Sequence, residues 1–254
     1  VPEEGKYIYC IIENSNARNY GPIGIGDRGD EVTTIPYGDF SAVVSSIPMS
    51  KYVVSRETMT AHEKVLEEVM KDCTVLPVRF YTVAPSVDEI RSLLIRRHAE
   101  FKNLLRYLDN RVELGLKALW QDMNRVFQEI IDESDELKVI QKKIVNISSG
   151  KAETGSKALA AGVKSRLQEK KDKEAENLLS PLKKISVDVR YNKTHGDDMI
   201  CNAAFLVDRR WEKDFDIKVE ELTKAHNDGI RFIYVGPVPS YSFVNIIVKE
   251  QDAV

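Results

Sequence analysis

Four stretches of this chain carry residue types that could do chemistry, and each is weighed first by the spacing its chemistry would need. Gly21-Pro22-Ile23-Gly24-Ile25-Gly26 has the glycine density of a phosphate-cradling loop. A Walker loop needs Lys-Ser/Thr after its last glycine, and a dinucleotide fingerprint needs a strand before it and a helix behind it. Neither follows Gly26, and the element after Gly29 reads as a strand, so the stretch reads as a loop. His62-Glu63 has the opening of a zinc-protease helix, but the second ligand one turn later would be Leu66, and His62 is expected to be a surface or packing histidine. His195-Gly196-Asp197-Asp198 lacks further ligand spacing and reads as a solvated turn. Arg79 is the single charge in the apolar stretch Val75 to Val83, and a guanidinium there must find a carboxylate or reach water at the strand end.

No nucleophile elbow, Cys-x-x-Cys pair or Ser/His/Asp ordering stands out, and the 4 histidines leave few general bases near neutrality. The expectation is a chain with no catalytic residues, no metal site and no cofactor. The basic run Lys164, Arg166, Lys170, Lys171 and Lys173 is interleaved with Glu169, Asp172, Glu174 and Glu176 and has no aromatics for stacking, which favours a solvated helix face. With a net charge of -3 there is no broad positive field for phosphate backbones, and no nucleic-acid partner is expected. Cys10, Cys73 and Cys201 are odd in number and set among apolar neighbours, as buried free thiols of a reducing cytosol would be. No apolar run reaches membrane-helix length, and Val1 to Lys6 lacks the basic start and apolar core of a signal peptide. A cytoplasmic protein without a lipid-membrane partner is expected.

The elements that would position these residues alternate between strand and helix periods. Tyr7 to Ile12 reads as a strand closed by Glu13-Asn14-Ser15-Asn16. Val32 to Ile35 and Phe40 to Ile47 form a hairpin across Pro36-Tyr37-Gly38-Asp39. Thr60-Ala61-His62-Glu63 has the form of a capping box, which predicts a helix start there, with Val65, Leu66, Val69, Met70 and Cys73 on its buried stripe. Val75 to Val83 reads as a central strand, and Ser86-Val87-Asp88-Glu89 caps a helix running to about Tyr107. After the turn Asp109-Asn110, alternation from Val112 to Trp120 predicts a half-buried strand with Glu113, Gly115 and Lys117 on its polar side. One long amphipathic helix is predicted from Met123 to Ile144, broken at Ser148-Ser149-Gly150, and a second from Gly155 to about Ile185, together an αα-hairpin. Strands Met199 to Val207 and Ile230 to Val235 follow, separated by a helix carrying Trp211, Phe215, Val219 and Leu222. Gly236-Pro237-Val238-Pro239-Ser240 ends the last strand before an apolar tail, Tyr241 to Val248.

This order predicts an α+β protein of two domains, ferredoxin-like or modified ferredoxin-like sandwiches, the second with the long helical hairpin and one strand replaced by helix. The boundaries expected are 1–109, 110–238 and a C-terminal tail 239–254.

Several strings, in order along the chain, resemble the gas vesicle protein F/L family (GvpF/GvpL), with the closer likeness to the F branch. They are residues 6–12 (Lys6 to Ile12), His62-Glu63-Lys64-Val65-Leu66-Glu67, Val75-Leu76-Pro77-Val78-Arg79-Phe80, Glu113-Leu114-Gly115-Leu116-Lys117, Phe205-Leu206-Val207-Asp208 with Trp211, and residues 236–244 (Gly236 to Val244). Tyr81 stands where the family often has glycine, and Val238 and Ser240 replace its bulkier Trp and second Pro. The resemblance implies a minor shell component or assembly factor of the gas vesicle, a buoyancy organelle whose major shell subunit is small and hydrophobic. It implies partners among that subunit and other gas vesicle accessory proteins, and no catalytic residues carry over. The function expected is to bind the major shell subunit and limit its aggregation during vesicle formation; the hairpin Val32 to Ile47 and the tail Tyr241 to Val248 are the candidate surfaces, the alternative for the tail being that it packs between the two domains and holds them together. The alternatives are a cytosolic small-molecule enzyme and a ligand-binding regulatory module of the α+β class.

Overall fold

The computed structural model describes residues 4–26, 28–49, 54–145 and 149–246. They fall into two compact units, one formed by Val1–Glu113 with Gly236–Val254, the other by Leu114–Val235.

The first unit begins with β1 (Glu4–Glu13), a short β2 (Asn19–Gly21), β3 (Val32–Tyr37) and β4 (Phe40–Pro48). Helix α1 (Arg56–Met70), β5 (Val75–Ala84), α2 (Val87–Arg96) and α3 (His98–Leu108) follow. The strands form one sheet in the order β2-β3-β4-β1-β5. Ile8 lies opposite Val44 and Cys10 opposite Val43, so Tyr9 is the extra residue of a bulge in β1. The bulge shifts the side-chain alternation by one. Tyr7, Tyr9, Cys10 and Ile12 therefore all join the core cluster that includes Val65, Leu66 and Val69 of α1. Ile8 and Ile11 are buried as well, so both faces of this strand are covered. Helices α2 and α3 pack against β3, β4, β1 and β5.

The second unit is entered along β6 (Arg111–Trp120) and continues through α4 (Met123–Asp132), α5 (Asp135–Val145), α6 (Ser149–Lys183), β7 (Asp188–Tyr191), β8 (Met199–Asp208), α7 (Glu212–Ala225) and β9 (Ile230–Val238). Its sheet order is β7-β8-β6-β9. Element order and strand order together are those of a split βαβ sandwich. The first unit places β3-β4-β1-β5 in the corresponding order, with a loop and β2 where a crossover helix would stand. The protein is a mixed α+β chain with two antiparallel sheets, as its alternating periods predict.

Several expectations need correction. Strand β7 completes the second sheet, so no strand there is replaced by helix. Its sequence, Asp188-Val189-Arg190-Tyr191, is half-exposed edge and carries too little apolar alternation to announce itself. Helix α1 starts a turn before Thr60: Ser55 Oγ accepts from Thr58 N–H and Thr58 Oγ1 from Ser55 N–H, at 3.2 and 3.0 Å. The helix expected up to Tyr107 breaks at Arg97. The one expected from Met123 to Ile144 breaks at Glu133-Ser134, where Ser134 accepts from Leu137 N–H and starts α5 afresh. Strand β5 is an edge strand. Glu113 is buried, whereas Trp211 sits exposed in a single 3-10 turn ahead of α7. Of the break expected at Ser148-Ser149-Gly150, Ser148 lies outside the described residues and the other two open α6; Ile247 and Val248 of the tail also lie outside.

Candidate functional site

In the first unit the capped helix α1 carries Met59 one turn ahead of the adjacent pair His62 and Glu63. The stripe His62, Val65, Leu66 and Val69 is buried against the sheet, while Glu63 stays exposed. Beneath His62 lie Tyr7 and Tyr9. The Tyr7 hydroxyl accepts from Tyr81 N–H at 3.1 Å and shares a 2.9 Å hydrogen bond with His62 Nδ1. With the ring neutral and the hydroxyl donating to Nδ1, the ring proton sits on Nε2. That nitrogen is buried without a hydrogen-bond partner among the described residues. Burial lowers the His62 pKa to about 4 and pushes the Tyr7 hydroxyl well above the usual tyrosine range. Rings fix the imidazole on three sides: Tyr9 stacks on it at 5.6 Å, and Tyr7 and Phe80 meet it edge-on at 5.7 and 5.4 Å.

Strand β5 opens beside this cluster. Thr82 pairs with Ile8 but Pro77 pairs with Cys10, so residues 78–81 stand opposite Tyr9 alone and loop out of the ladder. Tyr81 completes the loop at φ 65°, in the left-handed region that favours glycine. It is the position where the family resemblance leads one to expect glycine.

The third component is the segment after β9, which returns to this unit. Val244 N–H donates to Ser240 O at 3.1 Å, closing a turn. Ser242 N–H and Oγ–H donate to the two Glu113 carboxylate oxygens at 2.9 and 2.6 Å. Burial raises the Glu113 pKa, and the two bonds from Ser242 oppose that shift. Ile246 then forms a parallel bridge to Val78, and Arg79 N–H donates to Ile246 O at 3.3 Å. Phe243, Val244 and Ile246 are buried. Between this strap, α1 and the outlooped part of β5 lies an open groove of about 320 Å³. Its walls are largely apolar, with Met59, Val78, Phe80, Val244 and Ile246, and the exposed Glu63 and Arg79 stand at its rim.

The other stretches singled out in the sequence lie elsewhere. In the glycine loop, Gly24 N–H donates to Asp30 O and Ile25 N–H to the Tyr9 hydroxyl, so both amides are spent on the fold. A side chain at Gly24 would meet Asp30 O at 2.5 Å. In the 195–198 turn, Gly196 O accepts from Lys171 Nζ and Asp198 O from Trp120 N–H. Among the described residues no three His, Cys, Asp or Glu side chains gather as a metal site. Arg79 is exposed. The basic run is only partly a solvated face: Lys170 pairs with Glu129 at 3.2 Å and Glu133 at 3.5 Å across the hairpin, and Lys171 is buried. The three cysteines are free, with Cys10 and Cys201 buried and Cys73 half-buried. In the hairpin Val32 to Ile47, β4 is enclosed between β3 and β1, and Val32, Ile35, Phe40, Val43 and Ile47 are buried.

The alternation of β6 hides Glu113, because a carboxylate between apolar neighbours reads as a solvent-facing residue. The signal that could have found it is the presence of Glu113 and Ser242 in two of the strings that carry the family resemblance.

Residues 5–245 match the family described as "Gas vesicle synthesis protein GvpL/GvpF". Gas vesicle protein F of Streptomyces sp. (strain CB03234) is 29% identical over 240 residues, covering 94% of this chain and 98% of that protein. Gas vesicle protein L of the same organism is 26% identical, with 96% and 94% covered. Among solved structures, the crystal structure of GvpF from Anabaena sp. PCC7120 superposes with a TM-score of 0.83 at 25% identity, covering 96% of this chain and 100% of that one. GvpF from Microcystis aeruginosa gives a TM-score of 0.76 at 25% identity, with 95% and 99% covered.

Proposed function

The chain belongs to the gas vesicle synthesis protein GvpL/GvpF family, and from that premise we propose that it is an assembly or structural accessory protein that binds the major hydrophobic shell subunit. Family membership carries the coarser statement, a gas vesicle-related role. The finer one rests on the groove of the first unit. A small apolar subunit exposes surface and strand edges that aggregate unless covered before the shell grows. The groove offers about 320 Å³ of mainly apolar wall beside the looped-out part of β5, whose edge the strap bridges at Val78. That combination suits an apolar side chain presented on an extended segment. In this reading the protein works by binding alone, meets its partner in the cytoplasm, and then associates with the vesicle.

The test is capture of solubilised shell subunit by the purified chain, with light scattering to follow aggregation of the subunit. Met59 is half-exposed on the groove wall, so Met59→Glu places a charge in the groove without entering the core. The unsubstituted chain is expected to capture the subunit and suppress scattering. The variant is expected to bind about tenfold more weakly, the cost of desolvating a charge against an apolar partner. Equal scattering with and without the protein would refute the reading.

A further inference from the structure

The groove is not built by the N-terminal elements alone. Tyr241, Val244, Asn245 and Ile246 supply one of its walls, and they belong to a segment reached only after the chain has passed through the whole second unit. Phe243, Val244 and Ile246 of that segment are buried, and among the described residues Ile246 bridges to Val78 while Glu113 accepts both the N–H and the hydroxyl of Ser242. Glu113 is 5% exposed, and no salt bridge to it is found among the described residues. A carboxylate buried without a cation is costly and persists only where its oxygens are hydrogen-bonded. Ser242 supplies both of the bonds seen, so docking of the strap and satisfaction of this carboxylate are one event. Neither Glu113 nor Ser242 lines the groove.

We infer that Glu113 is a positioning residue for the groove: by clasping Ser242 it holds the strap as a wall, and the partner is captured only while the strap is docked. This rests on the groove being the capture site of the proposed function. The chemistry of the occupant follows from what the strap itself presents. Past the turn at Phe243, Val244-Asn245-Ile246 runs on to the bridge with Val78, and its β-branched residues Val244 and Ile246 stand on the groove wall beside Met59 and Phe80. The partner segment that lies against it is an apolar strand of the same kind, taken from the shell subunit. Because only the docked state is competent, undocking reduces apparent affinity by the competent fraction. Partner binding in turn must stabilise the clasp.

The Arg79 amide reports the strap directly, since its hydrogen bond to Ile246 O exists only in the docked state. Glu113→Leu removes both acceptors while keeping the volume, and Glu113→Gln keeps one acceptor oxygen. Hydrogen exchange at Arg79 and capture of solubilised shell subunit would be measured on full-length chains whose melting shows them folded. Expected for Glu113→Leu is exchange accelerated about a hundredfold, from loss of two bonds to a charged group, with capture weakened by tenfold or more; Glu113→Gln is expected to lie between. Should the leucine variant not fold, Ser242→Ala removes one donor from the strap side and Ser242→Thr restores it, with the same two readouts expected to fall and recover.

Fast exchange with unchanged or tighter capture would overturn the inference, since the strap would then be a bystander or a cover. Unchanged exchange would overturn it too, by showing that the clasp does not hold the strap. Failure of the unsubstituted chain to capture the subunit would instead overturn the assembly reading, and the role of the wall with it.

Discussion

At the scale of single residues, the groove is underlain by groups held in states they would not choose in water. His62 takes a proton near 6.5 in the unfolded chain and only near 4 when folded, because burial disfavours the imidazolium. The folded pKa is depressed, so the stabilisation from keeping the ring neutral is fully present above 6.5 and is lost as pH falls from there towards 4. This group should account for about 3 kcal/mol of stability lost across that window. Urea unfolding as a function of pH checks it: His62→Gln can still bond the Tyr7 hydroxyl, and its stability should be flatter than that of the unsubstituted chain over the same range. A second strained position is Tyr81, at φ 65°. Tyr81→Gly and Tyr81→Ala lose the same ring, so their difference isolates the backbone. The glycine variant is expected to be the more stable of the two by about 1 kcal/mol, measured by chemical denaturation.

Among the elements, the helical hairpin of the second unit depends on a close approach. A side chain at Gly162 of α6 would lie 2.6 Å from Leu137 Cδ2 of α5. Gly162→Leu should push the two helices apart and cost about 1–3 kcal/mol of unfolding free energy, despite the better helix propensity of leucine. Hydrogen exchange across α5 would show the loosening. The same elements explain how much of the fold is legible in the sequence. The alternating β6, short apolar runs such as β1 and β8, and helices with a clear apolar stripe announce themselves through periods and residue types set by backbone geometry. The breaks at Arg97 and Ser134 do not, because apolar spacing continues across them: at Ser134 a side-chain cap begins the next helix, while at Arg97 only the backbone leaves the helical conformation, at φ -103° and ψ 17°. The edge position of β5 was equally hidden: an apolar strand reads as central, yet here the strap and α1 cover it. For the groove, His62, Phe80 and Tyr241 were each visible in the sequence, but what brings them together is the looping-out of residues 78–81 and the return of the chain after β9. Both are long-range pairings that no local pattern encodes.

For the molecule as a whole, two α+β units with strands in corresponding order and a returning C-terminal segment match solved GvpF structures over nearly the full chain. That likeness supplies the vesicle context, and the groove is the surface proposed for the shell subunit. The apolar residues exposed on the second unit, Trp211 and Ile217 among them, offer a rival surface. The two surfaces are separated most directly by site-specific photo-crosslinking with solubilised shell subunit, placing the photoreactive residue at position 59 in one preparation and at position 217 in another. The groove account predicts a strong adduct from position 59 and little from position 217. An adduct from position 217 with none from position 59 would contradict it.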